Sequence, residues 1–187
     1  MARASIKGRM IAMLATDGFE LVELTDTRER LEKAGAMVEV IAPAKTQIKG
    51  QIRGWKARDW GDSVKVDRTI DEARPEAYDA VVIPGGLISP DLLRMDEKAI
   101  AFLRAFGASG KPLAAICHGT QLLIDADLVR NRKVTSWPSL ATDLRNAGSH
   151  WQDMEVVVDG TLITSRKPAD IPAFSRALIH AVEHTTL

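Results

Sequence analysis

Short apolar runs of strand length alternate along this chain with longer stretches whose apolar residues recur every three or four positions. Arg9 to Ala15 is the first run, closed by the turn-like Thr16-Asp17-Gly18. From Glu20 to Lys33 the apolar residues Leu21, Leu24 and Leu31 fall on one helical face, and Gly35 supplies a C-terminal stop. Met37 to Ala42 is the next run, ended by Pro43. Strand, helix and strand in that order predict a βαβ unit with parallel pairing. The rhythm breaks over residues 45–63, rich in Gly, Lys, Arg and Trp, which read as a long excursion with room for a short hairpin.

The pattern resumes with a brief extended stretch at Val64–Val66 and a buried strand at Ala80–Ile83 that ends in Pro84-Gly85-Gly86. Ser89-Pro90-Asp91 opens a helical pattern, and Glu97–Phe106 predicts a helix with Ile100, Leu103 and Phe106 inward. The short strand Leu113–Ile116 leads directly into Cys117. A helix near Gln121–Ala126, a small strand at Val134 and a helix around Ser139–Ala147 follow. Glu155–Asp159 and Leu162–Ser165, joined by Gly160-Thr161, predict a β-hairpin. Ile171, Phe174, Leu178, Ile179 and Val182 make the apolar stripe of a final helix over Asp170–Glu183. Alternating strands and helices over residues 1–187 argue for one α/β domain whose sheet is covered on both faces.

Composition narrows the function classes. Lysines plus arginines equal aspartates plus glutamates at 25 each, so no bulk positive field exists to hold nucleic acid or anionic lipid. No apolar run is long enough to span a bilayer. The N-terminal MARASIKGRMIAMLA reads as a first core strand rather than a signal peptide. A single cysteine cannot form an internal disulfide and fits a reducing compartment, so a cytoplasmic location is expected. No His or Cys cluster has metal-ligand spacing, and no phosphate-cradling or dinucleotide fingerprint is present, so neither a metal nor a cofactor is expected.

The chemistry gathers around Leu113-Ala-Ala-Ile-Cys117-His118-Gly119. An apolar strand that stops at Cys117 and turns at once into a helix has the layout of a nucleophile elbow with cysteine in place of serine. Unpaired N–H groups and the positive end of the helix favour thiolate there. The competing reading is an inert, buried cysteine. His118 is a candidate proton carrier, or else a helix cap or subunit contact. In a parallel sheet all loops after the strands open onto one crevice, so Glu20 can meet Cys117 as a protonated acid, or simply serve its helix as a first-turn acid. The N–H groups of Gly86 and His118 are candidates for an oxyanion hole. Asp91 is either another first-turn acid or the group that orients His118.

These segments together resemble the PfpI family of intracellular cysteine proteases, in the superfamily of DJ-one and the class I glutamine amidotransferases. The resemblance rests on DGFE at 17–20, YDAVVIPGG at 78–86, AICHG at 115–119, TSWPSLATDLRNAG at 135–148 and EVVVDGTLITSRKPAD at 155–170. It implies a flavodoxin-like three-layer sandwich with a mostly parallel central sheet and helices on both faces, assembled as a dimer or hexamer. It maps the family nucleophile onto Cys117, its histidine onto His118 and its pocket acid onto Glu20. It makes Asp91 the carboxylate supplied by a neighbouring subunit, although family proteases carry a glutamate there. The implied activity is a cysteine-dependent hydrolase of stress defence, acting on a peptide bond or on a carbonyl adduct of a protein or small molecule. The alternative is a redox-sensing or chaperone-like protein whose Cys117 is oxidised without turnover. Trp55 and Trp60 in the excursion would wall a substrate pocket, line a subunit interface or merely pack.

Overall fold

In the computed structural model, which describes residues 5–185, the apolar runs become strands of one seven-stranded sheet. The first half of the chain holds β1 (Met10–Leu14), β2 (Phe19–Glu20), α1 (Leu21–Lys33), β3 (Met37–Ala42), β4 (Gln51–Lys56), β5 (Asp59–Lys65), β6 (Arg68–Thr69) and β7 (Ala80–Ile83). The middle adds α2 (Ile88–Leu93), α3 (Glu97–Ala108), β8 (Leu113–Ile116) and α4 (Gln121–Asp125). The remainder holds β9 (Lys133–Val134), α5 (Ala141–Asn146), β10 (His150–Trp151), β11 (Val156–Asp159), β12 (Leu162–Ser165) and α6 (Ile171–His184). The main sheet runs β11-β12-β8-β7-β1-β3-β6, and every pair in it is parallel except β11–β12, the expected hairpin.

Side chains on successive residues of β1 divide between two separate cores. Ala12 and Leu14 point to a layer holding Leu103 and Phe106 of α3 and Leu122 and Leu123 of α4. Ile11 and Met13 point to the opposite layer, with Leu24 and Leu31 of α1 and Phe174, Leu178 and Val182 of α6. This alternation is what a sheet buried on both faces requires. The three-layer, mostly parallel sandwich expected from the sequence is therefore the observed architecture. Each fully buried Leu or Phe in these layers is worth about 1.5–3 kcal/mol of burial.

The differences from the sequence pattern are local. The excursion at 45–63 folds as the β4–β5 hairpin, with a bulge between Arg53 and Trp55, and β5 absorbs Val64. β4 also pairs with β2 to make a small second sheet. β2, β6 and β10 have two residues each, too few for a period of two to register. The helix expected at 139–147 divides into a 3-10 turn at Pro138–Leu140 followed by α5. No helix among the described residues is long and apolar enough to cross a membrane.

Candidate active site

Because β1, β7, β8 and β12 are parallel, their C-terminal ends lie at one edge of the sheet. The segments 15–18, 84–87 and 117–120 meet there. Cys117 sits immediately after β8 with φ of 60°, the left-handed region that costs a non-glycine residue energy. Its carbonyl accepts the Thr120 hydroxyl at 2.9 Å, which holds the turn. Gly119 permits this elbow to press on the neighbouring strand end: a Cβ there would lie 2.6 Å from the Ile83 carbonyl oxygen and 2.8 Å from that of Pro84. The turn is a four-residue 3-10 segment, Cys117–Thr120, ahead of the five-residue α4. The helix expected to begin at once on Cys117 is thus short and irregular, and its dipole is correspondingly weak.

Burial outweighs that dipole. Cys117 is only 6% exposed, and desolvation pushes its thiol well above the ordinary thiol range, with the neighbouring Glu23 acting in the same direction when ionised. The N–H groups of His118 and Gly86 approach the sulfur and oppose the shift. Burial thus works against the thiolate that the N–H groups of the turn favour. His118 Nδ1 lies 3.4 Å from the sulfur. Desolvation holds the His118 imidazole below its usual value, so it stands neutral and able to accept a proton. Its ring stacks on Trp137, with centroids 6.0 Å apart and planes at 26°. The sequence reasoning gave Trp137 no place in the site.

The acid beside Cys117 is Glu23, whereas the sequence pointed to Glu20. Glu23 is fully buried, and its Oε2 accepts the Gly85 N–H at 2.7 Å. Gly85 is squeezed between the two groups: a Cβ on it would lie 2.6 Å from Cys117 Cβ and 2.6 Å from Glu23 Oε2. Desolvation raises the Glu23 carboxyl to about 8, against a partial lowering by the Gly85 N–H. It is therefore mostly protonated at neutral pH. Its Oε1 is buried without a hydrogen-bond partner. Glu20 instead ends β2, where its N–H donates to the Gly85 carbonyl at 3.0 Å and its residue pairs with Trp55 of β4. Its side chain is only half-buried, and desolvation raises its carboxyl. One helical turn separates the two acids, and the buried set Glu23, Leu24, Thr27 and Leu31 shows which of them faces the sheet. An acid inside that apolar stripe was the available signal.

Asp17 of the same loop has a structural task. Its carboxylate accepts the N–H groups of Gln47 and Arg53, both at 2.7 Å, and so anchors the β4–β5 hairpin beside the site. Trp55 and Trp60 pack edge to face at 5.5 Å, with the Arg53 guanidinium over Trp60. Asp91 is exposed on α2. Among the described residues no carboxylate hydrogen-bonds or ion-pairs with His118, Asp91 included. Gly86 has φ of 88° and packs against Gly18 and the start of β2, which fixes its N–H next to Cys117.

Comparison with known proteins gives the family and the fold. The DJ-1/PfpI family matches residues 9–181. "Protein/nucleic acid deglycase 2" of Escherichia coli (strain K12) is 47% identical over 90% of this chain and 94% of its own. "Deglycase PH1704" of Pyrococcus horikoshii is 42% identical over 90% and 96%. Among solved structures, a two-domain protein from Anabaena variabilis with dj-1/thij/pfpi-like and ferritin-like domains superposes with a TM-score of 0.84 at 35% identity, covering 92% of this chain. This chain spans 47% of that longer protein. Drosophila melanogaster DJ-1beta superposes with a TM-score of 0.84 at 25% identity, over 95% of this chain and 92% of its own. The chain belongs to the DJ-1/PfpI family.

Proposed function

We propose that this protein is a cysteine-dependent hydrolase that removes carbonyl adducts from amines, the reaction class named in its deglycase relatives. The observation that carries the reading is the contact of a strained, buried Cys117 with a neutral His118 on one side and the Gly85–Glu23 pair on the other. A substrate of this class is the aminocarbinol formed between an amine and a 2-oxoaldehyde. With one water it yields the free amine and a 2-hydroxy acid. His118 Nδ1 takes the thiol proton, and the sulfur bonds to the carbinol carbon as its C–N bond breaks, the nitrogen leaving with that proton as the free amine. The C–H proton of that carbon then shifts to the neighbouring carbonyl carbon through an enediol, in which the carbonyl π pair moves onto oxygen, and the carbinol oxygen becomes the carbonyl of a 2-hydroxy thioester on Cys117. The N–H groups of Gly86 and His118 receive that oxygen. Protonated Glu23 donates toward the sulfur and lowers the cost of its charge. His118 then takes a proton from water, the oxygen attacks the thioester carbon, and the C–S bond breaks to release the 2-hydroxy acid as the proton passes to the sulfur.

Asp91 is the orienting acid of this reading, reaching His118 from a second copy of the chain. What supports it is the setting of α2: Leu87, Leu92 and Met95, flanking Asp91, are 65%, 44% and 71% exposed. Large apolar residues left in the open at that density favour an association surface.

The decisive experiment follows the release of free amine from methylglyoxal-treated Nα-acetyl-lysine, with a peptide substrate in parallel. Cys117→Ser is expected to lower turnover by on the order of 10³-fold or more. Turnover retained by that variant overturns the mechanism. Turnover of the peptide alone makes the protein a peptidase instead. A gain of two oxygens on Cys117 under mild peroxide, with neither substrate consumed, makes it an oxidation sensor.

A further inference from the structure

The end of α6 carries His180, Glu183 and His184, all exposed, with one ligand-capable atom of each within 4.8 Å of the others. The sequence reading found no His or Cys cluster with metal-ligand spacing. It ended the helix at Glu183 and left His184 outside, whereas the helix runs to His184. Positions i, i+3 and i+4 then share one helical face.

Hydrogen bonding prepares this set for a cation. His184 Nδ1 lies 2.7 Å from the His180 carbonyl oxygen. A carbonyl can only accept, so Nδ1 carries the proton and Nε2 keeps its lone pair free. A backbone carbonyl that fixes the second nitrogen of an imidazole is the usual outer support of a metal-bound histidine. The two imidazole rings are tilted at 43° to one another with centroids 4.2 Å apart, and the Glu183 carboxylate supplies negative charge beside them. The same turn is tied to the start of the described chain, since the Ser5 N–H donates to Glu183 Oε1 at 3.3 Å and Arg9 Nη2 donates to the Thr185 carbonyl at 3.1 Å.

We propose that His180, Glu183 and His184 form a surface binding site for a borderline divalent transition metal ion of the Zn²⁺, Ni²⁺ or Cu²⁺ kind. Two imidazole nitrogens and one carboxylate oxygen select such ions over Mg²⁺ and Ca²⁺. Bonds of roughly 2.0–2.2 Å to a tetrahedral ion place ligand atoms about 3.3–3.6 Å apart. The set must contract by about an ångström, which exposed side chains achieve by small rotations between neighbouring torsions. Water completes the coordination. The bound ion fastens the last turn of α6, where the helix would otherwise fray.

The test uses tag-free protein carrying Cys117→Ser, which removes the thiol as a competing ligand, titrated with zinc chloride in a calorimeter. One Zn²⁺ per chain is expected, with affinity lowered about tenfold or more by His180→Ala or His184→Ala. His150→Ala, on β10, is expected to leave it unchanged. Equal affinity in all four proteins, or a loss only with His150→Ala, overturns the site. Electron paramagnetic resonance with Cu²⁺ gives a second readout that needs no substitution on α6. Coupling to two imidazole nitrogens is expected, and coupling to one or none overturns the proposal.

Discussion

The Glu23 carboxyl accepts the Gly85 N–H through one oxygen and has no hydrogen-bond partner at the other, deep in the sheet edge beside Cys117. Its folded value is raised to about 8 from 4.5, so between those two values the folded chain holds a proton that the unfolded chain has released. Stability must then fall as pH rises through that window, with a slope approaching about 1.4 kcal/mol per pH unit. Glu23→Gln preserves the acceptor for Gly85 and offers a permanent donor to Cys117. Urea denaturation between about pH 5 and pH 8 is expected to lose most of its pH dependence in that variant. An undiminished slope would show that the proton resides elsewhere. Cys117 was legible at this scale because an elbow is a local pattern of strand, turn and small residues. Its proton affinity was not legible, since it depends on how much water the fold excludes.

Two contacts between elements hold the elbow and the hairpin in place. Gly119 lies against the end of β7, where the obstacles to a Cβ are the Ile83 and Pro84 carbonyl oxygens rather than a movable side chain. Gly119→Ala is expected to destabilise the protein by about 1–3 kcal/mol in urea denaturation and to slow Cys117 alkylation. A change under about 0.5 kcal/mol would mean the elbow has slack. Asp17→Ala strands two backbone donors, of Gln47 and Arg53, at a cost of about 1–3 kcal/mol each. Hydrogen exchange over residues 47–65 should accelerate selectively, and uniform protection would show that β2 alone holds the hairpin. The helices and strands themselves follow closely from periodicity: β3 spans Met37–Ala42 and β8 spans Leu113–Ile116, as the apolar runs indicate. The anchoring of the hairpin does not follow, because Asp17 and Arg53 are far apart in sequence and only the fold juxtaposes them.

For the whole molecule, function turns on whether a second copy completes the site. Within a chain His118 has no carboxylate partner among the described residues, and Asp91 faces solvent. Leu92 and Met95 line a surface depression of about 560 Å³ with Pro43, Ala44 and Ile70. If a second copy covers this face, Leu92→Glu should shift light scattering toward the single-chain mass and lower turnover together. Asp91→Ala should lower turnover while the assembled mass is kept. Full turnover in a monomeric Leu92→Glu protein would remove Asp91 from the mechanism.

Periodicity and turn chemistry by themselves determined the order of strands and helices, the two buried faces of the sheet and the strand-to-helix turn that carries Cys117. These depend on neighbours within a few residues, so a linear pattern carries them. The tertiary structure decided which acid meets the sulfur. Glu20 and Glu23 lie three residues apart, yet one caps a short strand pair and the other turns into the core. It also set how strongly burial opposes the Cys117 thiolate, because burial is a property of all the elements that close over a group. The end of α6 shows the same division: its His and Glu residues were in plain view, and the final helical residue alone put them on one face.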